Sequence, residues 1–160
     1  MIRSVEFRDA EHICAIYNEY IQNTIISLEE DILSADDLSS RIREVTRKYP
    51  WLVYEEENRV IGYTYATQWR VRSGYRHSVE TAIYVDSKHL GKGVGTVLLK
   101  ALISKLRDQS IHSVMAGIAL PNPASITLYE KSGFEKVAHF KEVGYKFNQW
   151  VDVAYWELIL

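Results

Sequence analysis

Cysteine is nearly absent from this 160-residue chain, with Cys14 alone. An internal disulfide and a CxxC metal site are therefore excluded. The five histidines, His12, His77, His89, His112 and His139, show no paired ligand spacing, so no zinc site is expected. Proline is scarce too: Pro50, Pro121 and Pro123 are the only three, and no Pro/Gly/Ser-rich linker or internal repeat divides the sequence. One domain over residues 1–160 is expected, long enough to fold without a covalent or metal staple. No apolar run approaches the roughly 18 residues that cross a bilayer. The first residues, MIRSVEFRDAEH, carry charges and no apolar core, so no secretory leader is expected and the chain reads as cytoplasmic. Nineteen Lys and Arg against 21 Asp and Glu give a net charge of −2, too little to hold nucleic acid by charge alone.

What is present is an ordinary globular composition, 47% hydrophobic and 25% charged, with 11 tyrosines and 4 tryptophans. Residues 1–7 read as a short strand. Asp9 and Ser34 are candidate helix caps, and Asp37 places a carboxylate in the first turn after Ser34. Ile13, Ile16, Tyr17 and Tyr20 recur at helical spacing, and a second, polar helix over 35–48 stops before Pro50. Trp51–Tyr54 and Val60–Trp69 flank a polar Glu55–Arg59 turn, a hairpin signature. Ser78–Val85 reads as a strand and Gly91–Gly95 as a glycine-rich turn, with Leu98, Leu99, Leu102, Ile103 and Leu106 on one helical face up to about Asp108. A strand over Ser113–Ile118, a helix over Ala124–Lys131 ended by Gly133, and two strands over 134–143 and 149–159 complete the chain. The β-α-β unit over 78–118 requires some parallel pairing, whereas the hairpins are antiparallel. The expected fold is α/β (α+β): a mixed, mostly antiparallel central sheet of about seven strands, with about four helices on its two faces.

The segment Val85-Asp-Ser-Lys-His-Leu-Gly-Lys-Gly-Val-Gly-Thr96 is the most informative. Its glycines let the backbone approach a ligand, and the helix that follows aims free N–H groups at the same point, which suits a diphosphate. The Walker pattern fails because Gly93 follows Gly91-Lys92, and the dinucleotide pattern fails because Thr96 occupies its last position. This turn, followed by Asn122, Ser125, Leu128-Tyr129 and Gly133-Phe134, resembles the GNAT superfamily of N-acetyltransferases, whose coenzyme A loop reads Q/R-x-x-G-x-G/A. Here the window is Leu90-Gly-Lys-Gly-Val-Gly95; Leu90 stands where the family prefers Gln or Arg, which removes one side-chain contact and leaves the backbone amides. Tyr49–Val53, Val79–Val85 and Gly144–Val153 are further similar, in register, to phosphinothricin acetyltransferases and to the acyltransferases of methionine sulfone and methionine sulfoximine.

The resemblance implies an acyl-CoA N-acyltransferase fold, acetyl-CoA as cosubstrate, no metal, and a homodimer with a small-molecule amine as substrate. It puts the cofactor on Ile83, Tyr84 and Val85, on the loop Leu90, Gly91, Lys92, Gly93, Val94, Gly95 and Thr96, and on Asn122 and Ser125. Asn122 is equally suited to capping the next helix. Glu80 matches the family's general base, and Tyr129 stands where many members carry a tyrosine general acid, although phosphinothricin acetyltransferases often have histidine there. Arginine forks match a carboxylate. The loop of Arg70, Arg72 and Tyr75 corresponds to residues that hold the amino-acid substrate in relatives, and Ser27 and Leu28 match the segment lining its pocket, with Leu28 in place of a usual phenylalanine. Two other readings stay open: acetylation of a protein N-terminus or polyamine, and a non-catalytic acyl-CoA-binding module.

Overall fold

The computed structural model describes residues 1–160 and contains seven strands and four α-helices. In chain order these are β1 (Ile2–Ser4), α1 (Ala10–Asn23), α2 (Ala35–Thr46), β2 (Trp51–Glu56), β3 (Arg59–Gln68), β4 (Ser78–Val85), α3 (Val94–Asp108), β5 (Ser113–Ala119), α4 (Pro123–Lys131), β6 (Glu135–Lys146) and β7 (Gln149–Ile159). They form one sheet of order β1-β2-β3-β4-β5-β7-β6. Every neighbouring pair is antiparallel except β4–β5, as the β-α-β unit requires.

Local chemistry accounts for most boundaries. Ser34 caps α2: its Oγ accepts from Asp37 N at 3.1 Å, while Asp37 Oδ2 accepts from Ser34 N at 2.9 Å. Asp9 does not cap α1, contrary to expectation. A 3-10 turn over Phe7–Asp9 runs straight into the helix, and the Asp9 carboxylate is taken by Arg3 at 2.7 and 2.8 Å and by Glu6 N at 2.8 Å. The β2–β3 turn is only two residues, Glu57 and Asn58, both at positive φ, so the strands run further into the polar segment than the side chains suggested. Phe147 and Asn148 close β6–β7 in the same way, and β6 is longer than expected, with register shifts at Lys136/Ala138 and Phe140/Gly144.

The helices form two layers. Ile13, Ile16, Ile21, Leu38 and Ile42 of α1 and α2 pack on Trp51, Val53 and Tyr63. Leu98, Leu99, Leu102 and Leu106 of α3 pack with Val79, Val114 and Trp156, and Tyr129 of α4 joins that cluster. One irregularity positions the site. The parallel β4–β5 ladder covers only Ser78↔Ser113 to Glu80↔Met115. Beyond it β4 continues to Val85 bonded to β3, and β5 continues to Ala119 bonded to β7. The two strands part, and each leaves one backbone edge without a strand partner.

Candidate active site

The gap between the parted strands opens into a cleft of about 640 Å³. Residues 80–85 form one wall and Gly117–Ala119 the other. The loop before α3 closes one end, and the first residues of α4 lie across it. At the loop, Gly91 and Gly93 adopt φ of 73° and 81°, a region that side chains disfavour, and the chain turns directly into α3. The first N–H groups of α3 have no intrahelical acceptor and carry the positive end of the helix dipole. The parted edge of β4 offers further unpaired amides and carbonyls to an extended ligand. One of these carbonyls is taken: Tyr20 Oη donates to Val85 O at 2.5 Å, fixing α1 to the end of the strand.

Two titratable groups line the cleft. Glu80 lies on the sheet face covered by α1 and α2, beside Tyr65, whereas Tyr129 belongs to the α3–α4 side. The parting of the strands exposes both to one cavity. Burial pushes the Glu80 carboxyl above the usual carboxylate range, against the opposing pull of Tyr155 and Arg70. Burial, reinforced by the negative field of Glu80, pushes the Tyr129 phenol up and keeps it protonated. The Thr81 hydroxyl faces Tyr129 and has no hydrogen-bond partner of its own. The cleft is thus lined by a carboxyl that burial raises and by a protonated phenol.

Most residues expected at the cofactor line this cleft: Ile83, Tyr84, Val85, Leu90, Gly91, Gly93, Val94, Gly95, Thr96, Asn122 and Ser125, together with Glu80 and Tyr129. Lys92 is exposed and outside the wall. Asn122 is a helix cap: its Oδ1 accepts from Ser125 N at 3.2 Å and its Nδ2 donates to Ser125 Oγ at 2.9 Å. The five residues expected at the substrate lie outside the wall. Ser27 is buried in the scaffold, its hydroxyl 3.0 Å from Tyr17 Oη and its carbonyl accepting from Lys146 Nζ at 2.6 Å. Leu28 is half-exposed and leans over Gly144. Arg72 and Tyr75 are exposed on the loop before β4. Arg70 stacks on Trp69, 4.1 Å from its ring centroid, and its charge reaches Glu80.

Sequence reasoning missed several residues of the site: Tyr20, Tyr65, Thr81, Gly117 and, behind the wall, Tyr155. A glycine inside the strand Ser113–Ile118 was the one available signal, since mid-strand glycine marks close approach by another group. The tyrosines gave none, because they belong to the same periodic apolar pattern as the core.

An acetyltransferase (GNAT) domain family model matches residues 2–155. The L-methionine sulfoximine/L-methionine sulfone acetyltransferase of Salmonella typhimurium is 36% identical over 160 residues, which cover 99% of this chain and 94% of that protein. A crystal structure of a GNAT superfamily phosphinothricin acetyltransferase from Sinorhizobium meliloti, in complex with AcCoA, superposes with a TM-score of 0.96 at 33% identity, covering 100% of this chain and 88% of that one. A ribosomal-protein-alanine N-acetyltransferase structure from Brucella melitensis superposes with a TM-score of 0.98 at 35% identity, covering 100% and 99%.

Proposed function

This chain belongs to the GNAT acetyltransferase family, and from that premise we propose that it moves the acetyl group of acetyl-CoA to the α-amine of a small amino acid or analogue. The observation that carries the reading is the cleft between the parted strands, with Glu80 and Tyr129 both in its lining. Acetyl-CoA supplies the thioester carbonyl that the amine attacks. The amides at the head of α3 and in the Gly91–Gly95 turn suit its diphosphate, and the free edge of β4 over Ile83–Val85 suits its amide-bearing arm. Glu80 takes the ammonium proton, directly or through water, and its raised carboxyl matches that task near neutral pH. The same free backbone edge offers N–H groups to the developing oxyanion. Tyr129 holds a proton at its hydroxyl for the departing thiolate.

The amino-acid class is supported by Arg70, the cation nearest Glu80, because a free amino acid carries a carboxylate beside its amine. Arg72 and Tyr75 lie on the same loop, and closure of that loop over a bound carboxylate would bring them in. The similarity to a ribosomal-protein-alanine N-acetyltransferase favours a second reading, a peptide α-amine. The two substrates differ at the carboxylate, which a peptide lacks at that position. A homodimer is supported by the exposed Val137, Phe140, Val143, Tyr145, Phe147 and Trp150 on the β6–β7 hairpin. No helix is long and apolar enough to cross a membrane.

The test is a panel of amines with acetyl-CoA: methionine sulfone, methionine sulfoximine, phosphinothricin, a polyamine and alanine-initiated peptides. Turnover of free amino acids, lost on amidation of their carboxylate, is expected. Turnover of peptides alone overturns the substrate class. Tight acetyl-CoA binding without turnover of any amine supports a binding module instead.

A further inference from the structure

Gly117 lies mid-strand in β5, directly opposite Tyr155 of β7. A β-carbon on Gly117 would stand 2.9 Å from Glu80 Oε1 and 3.0 Å from Cε1 and Cζ of Tyr155. A carboxylate, a phenol ring and a strand backbone thus converge on one point, and only a residue without a side chain leaves room for them. Two aromatic rings pack against the Tyr155 ring. Trp69 meets it edge-on at 5.3 Å between centroids, and Phe140 does the same at 6.0 Å. Glu80 Oε1 and the Tyr155 ring thus share the space beside Gly117, and the Tyr155 hydroxyl pulls the Glu80 carboxyl toward its ionised form. Trp69 in turn carries Arg70 on its face. A chain of neighbouring groups therefore runs from Arg70 through Trp69 and Tyr155 to Glu80.

We propose that Tyr155 is a positioning residue for Glu80, and that Gly117 provides the clearance through which the Tyr155 hydroxyl reaches the carboxylate. The inference rests on the reading of Glu80 as the base. Tyr155 holds Oε1 beside Gly117, which leaves the other carboxylate oxygen for the amine. A hydrogen bond to the ionised carboxylate also favours that form, which opposes the effect of burial. The titratable groups facing Glu80 are Tyr65 on β3, Arg70 after β3, Tyr129 on α4 and Tyr155 on β7; of these, Arg70 and Tyr155 favour the carboxylate. Tyr155 thus keeps the base both oriented and ionised.

The test is an NMR titration of the protein labelled with carbon-13 at its glutamate carboxyls, with Glu80→Gln assigning the Glu80 signal. It is run beside pH profiles of kcat/KM for the best amine. Tyr155→Phe keeps the ring between Trp69 and Phe140 and deletes only the hydroxyl. The Glu80 midpoint and the acid limb of the profile should both rise by about one pH unit. Acetyl-CoA affinity, read by calorimetry, should not change. Gly117→Ala displaces the ring, so it should raise the midpoint likewise and lower kcat about tenfold with little change in KM. If Gly117→Ala does not fold, Tyr155→Phe decides alone. An unchanged midpoint in Tyr155→Phe overturns the proposal. A shifted midpoint, in a protein whose Glu80→Gln variant keeps full rate, overturns the base reading and leaves the Tyr155 contact standing.

Discussion

Glu29 and Glu80 are both partly buried carboxylates, yet their surroundings drive them in opposite directions. Arg41 forks onto Glu29 at 2.9 and 2.5 Å, Tyr17 donates to the same carboxylate, and these bonds hold it below the usual range despite burial. Asp9 follows the same pattern on the neighbouring β1–α1 corner. Burial raises it, but Arg3 and the Glu6 amide more than compensate and it ends low. Glu80 has no forked arginine, only a phenol and a more distant cation, and burial wins. The backbone differs in parallel. Around Asp9 and Glu29 the polar groups are satisfied, while in the cleft two strand edges and the Thr81 hydroxyl are left open. The satisfied region is scaffold. The open one holds groups free to bind a ligand and to exchange protons.

Glu80→Gln breaks the contrast most strongly. It should cut kcat/KM near neutral pH by about 10²–10³-fold, with partial recovery at high pH as the amine loses its own proton, and calorimetry should show unchanged acetyl-CoA binding. The parent rate should climb with pH through the raised Glu80 midpoint. Stability moves the other way, because a carboxyl raised in the folded state weakens folding as pH rises from the unfolded to the folded value. The thermal midpoint of Glu80→Gln at neutral pH should therefore not fall below the parent's. Glu80 acting only as scaffold would instead give a less stable variant with an unaltered profile.

Asp9→Asn probes the satisfied side. Losing the charge opposite the half-buried Arg3, which keeps Glu55 as a partner, should cost roughly 1–2 kcal/mol in urea unfolding, with kcat and KM per folded molecule unchanged. Since Asp9 is depressed in the folded state, its contribution is full above the unfolded-state pKa near ~3.9 and is lost as pH falls through the lower folded value. The acid limb of stability should accordingly be shallower in the variant. The smallest effect is expected from Tyr129→Phe. Its ring stays packed 5.0 Å from Phe134, and only the proton for the thiolate is lost. A fall of about tenfold in kcat, with the KM for acetyl-CoA preserved, sharpens the contrast; a loss of stability without a change in kcat moves Tyr129 into the scaffold.

Much of the fold was legible in the residues. The strand Ser78–Val85 and the helix that follows the glycine turn stand where pattern and turn chemistry put them. That most residues expected at the cofactor line one cleft was legible too, because the loop and the head of α3 are contiguous in sequence. The substrate side was not. Ser27, itself expected in the pocket, spends its hydroxyl and carbonyl on Tyr17 and Lys146, and Arg72 and Tyr75 stand exposed outside the cleft wall. Asp9 failed as a cap because Arg3, on a separate strand, took its carboxylate.

The amino-acid order by itself determined the succession of strands and helices, the glycine turn ahead of α3, and the placing of Glu80 on the strand that feeds it. These depend on spacing and backbone preference within a few residues. The tertiary structure alone decided that β4 and β5 part after three paired residues, that Glu80 and Tyr129 line one cavity, and that Glu80 and Tyr155 converge on Gly117. Those relations join residues far apart in the chain, and strand register and pairing, which no local window contains, fix the distances between them.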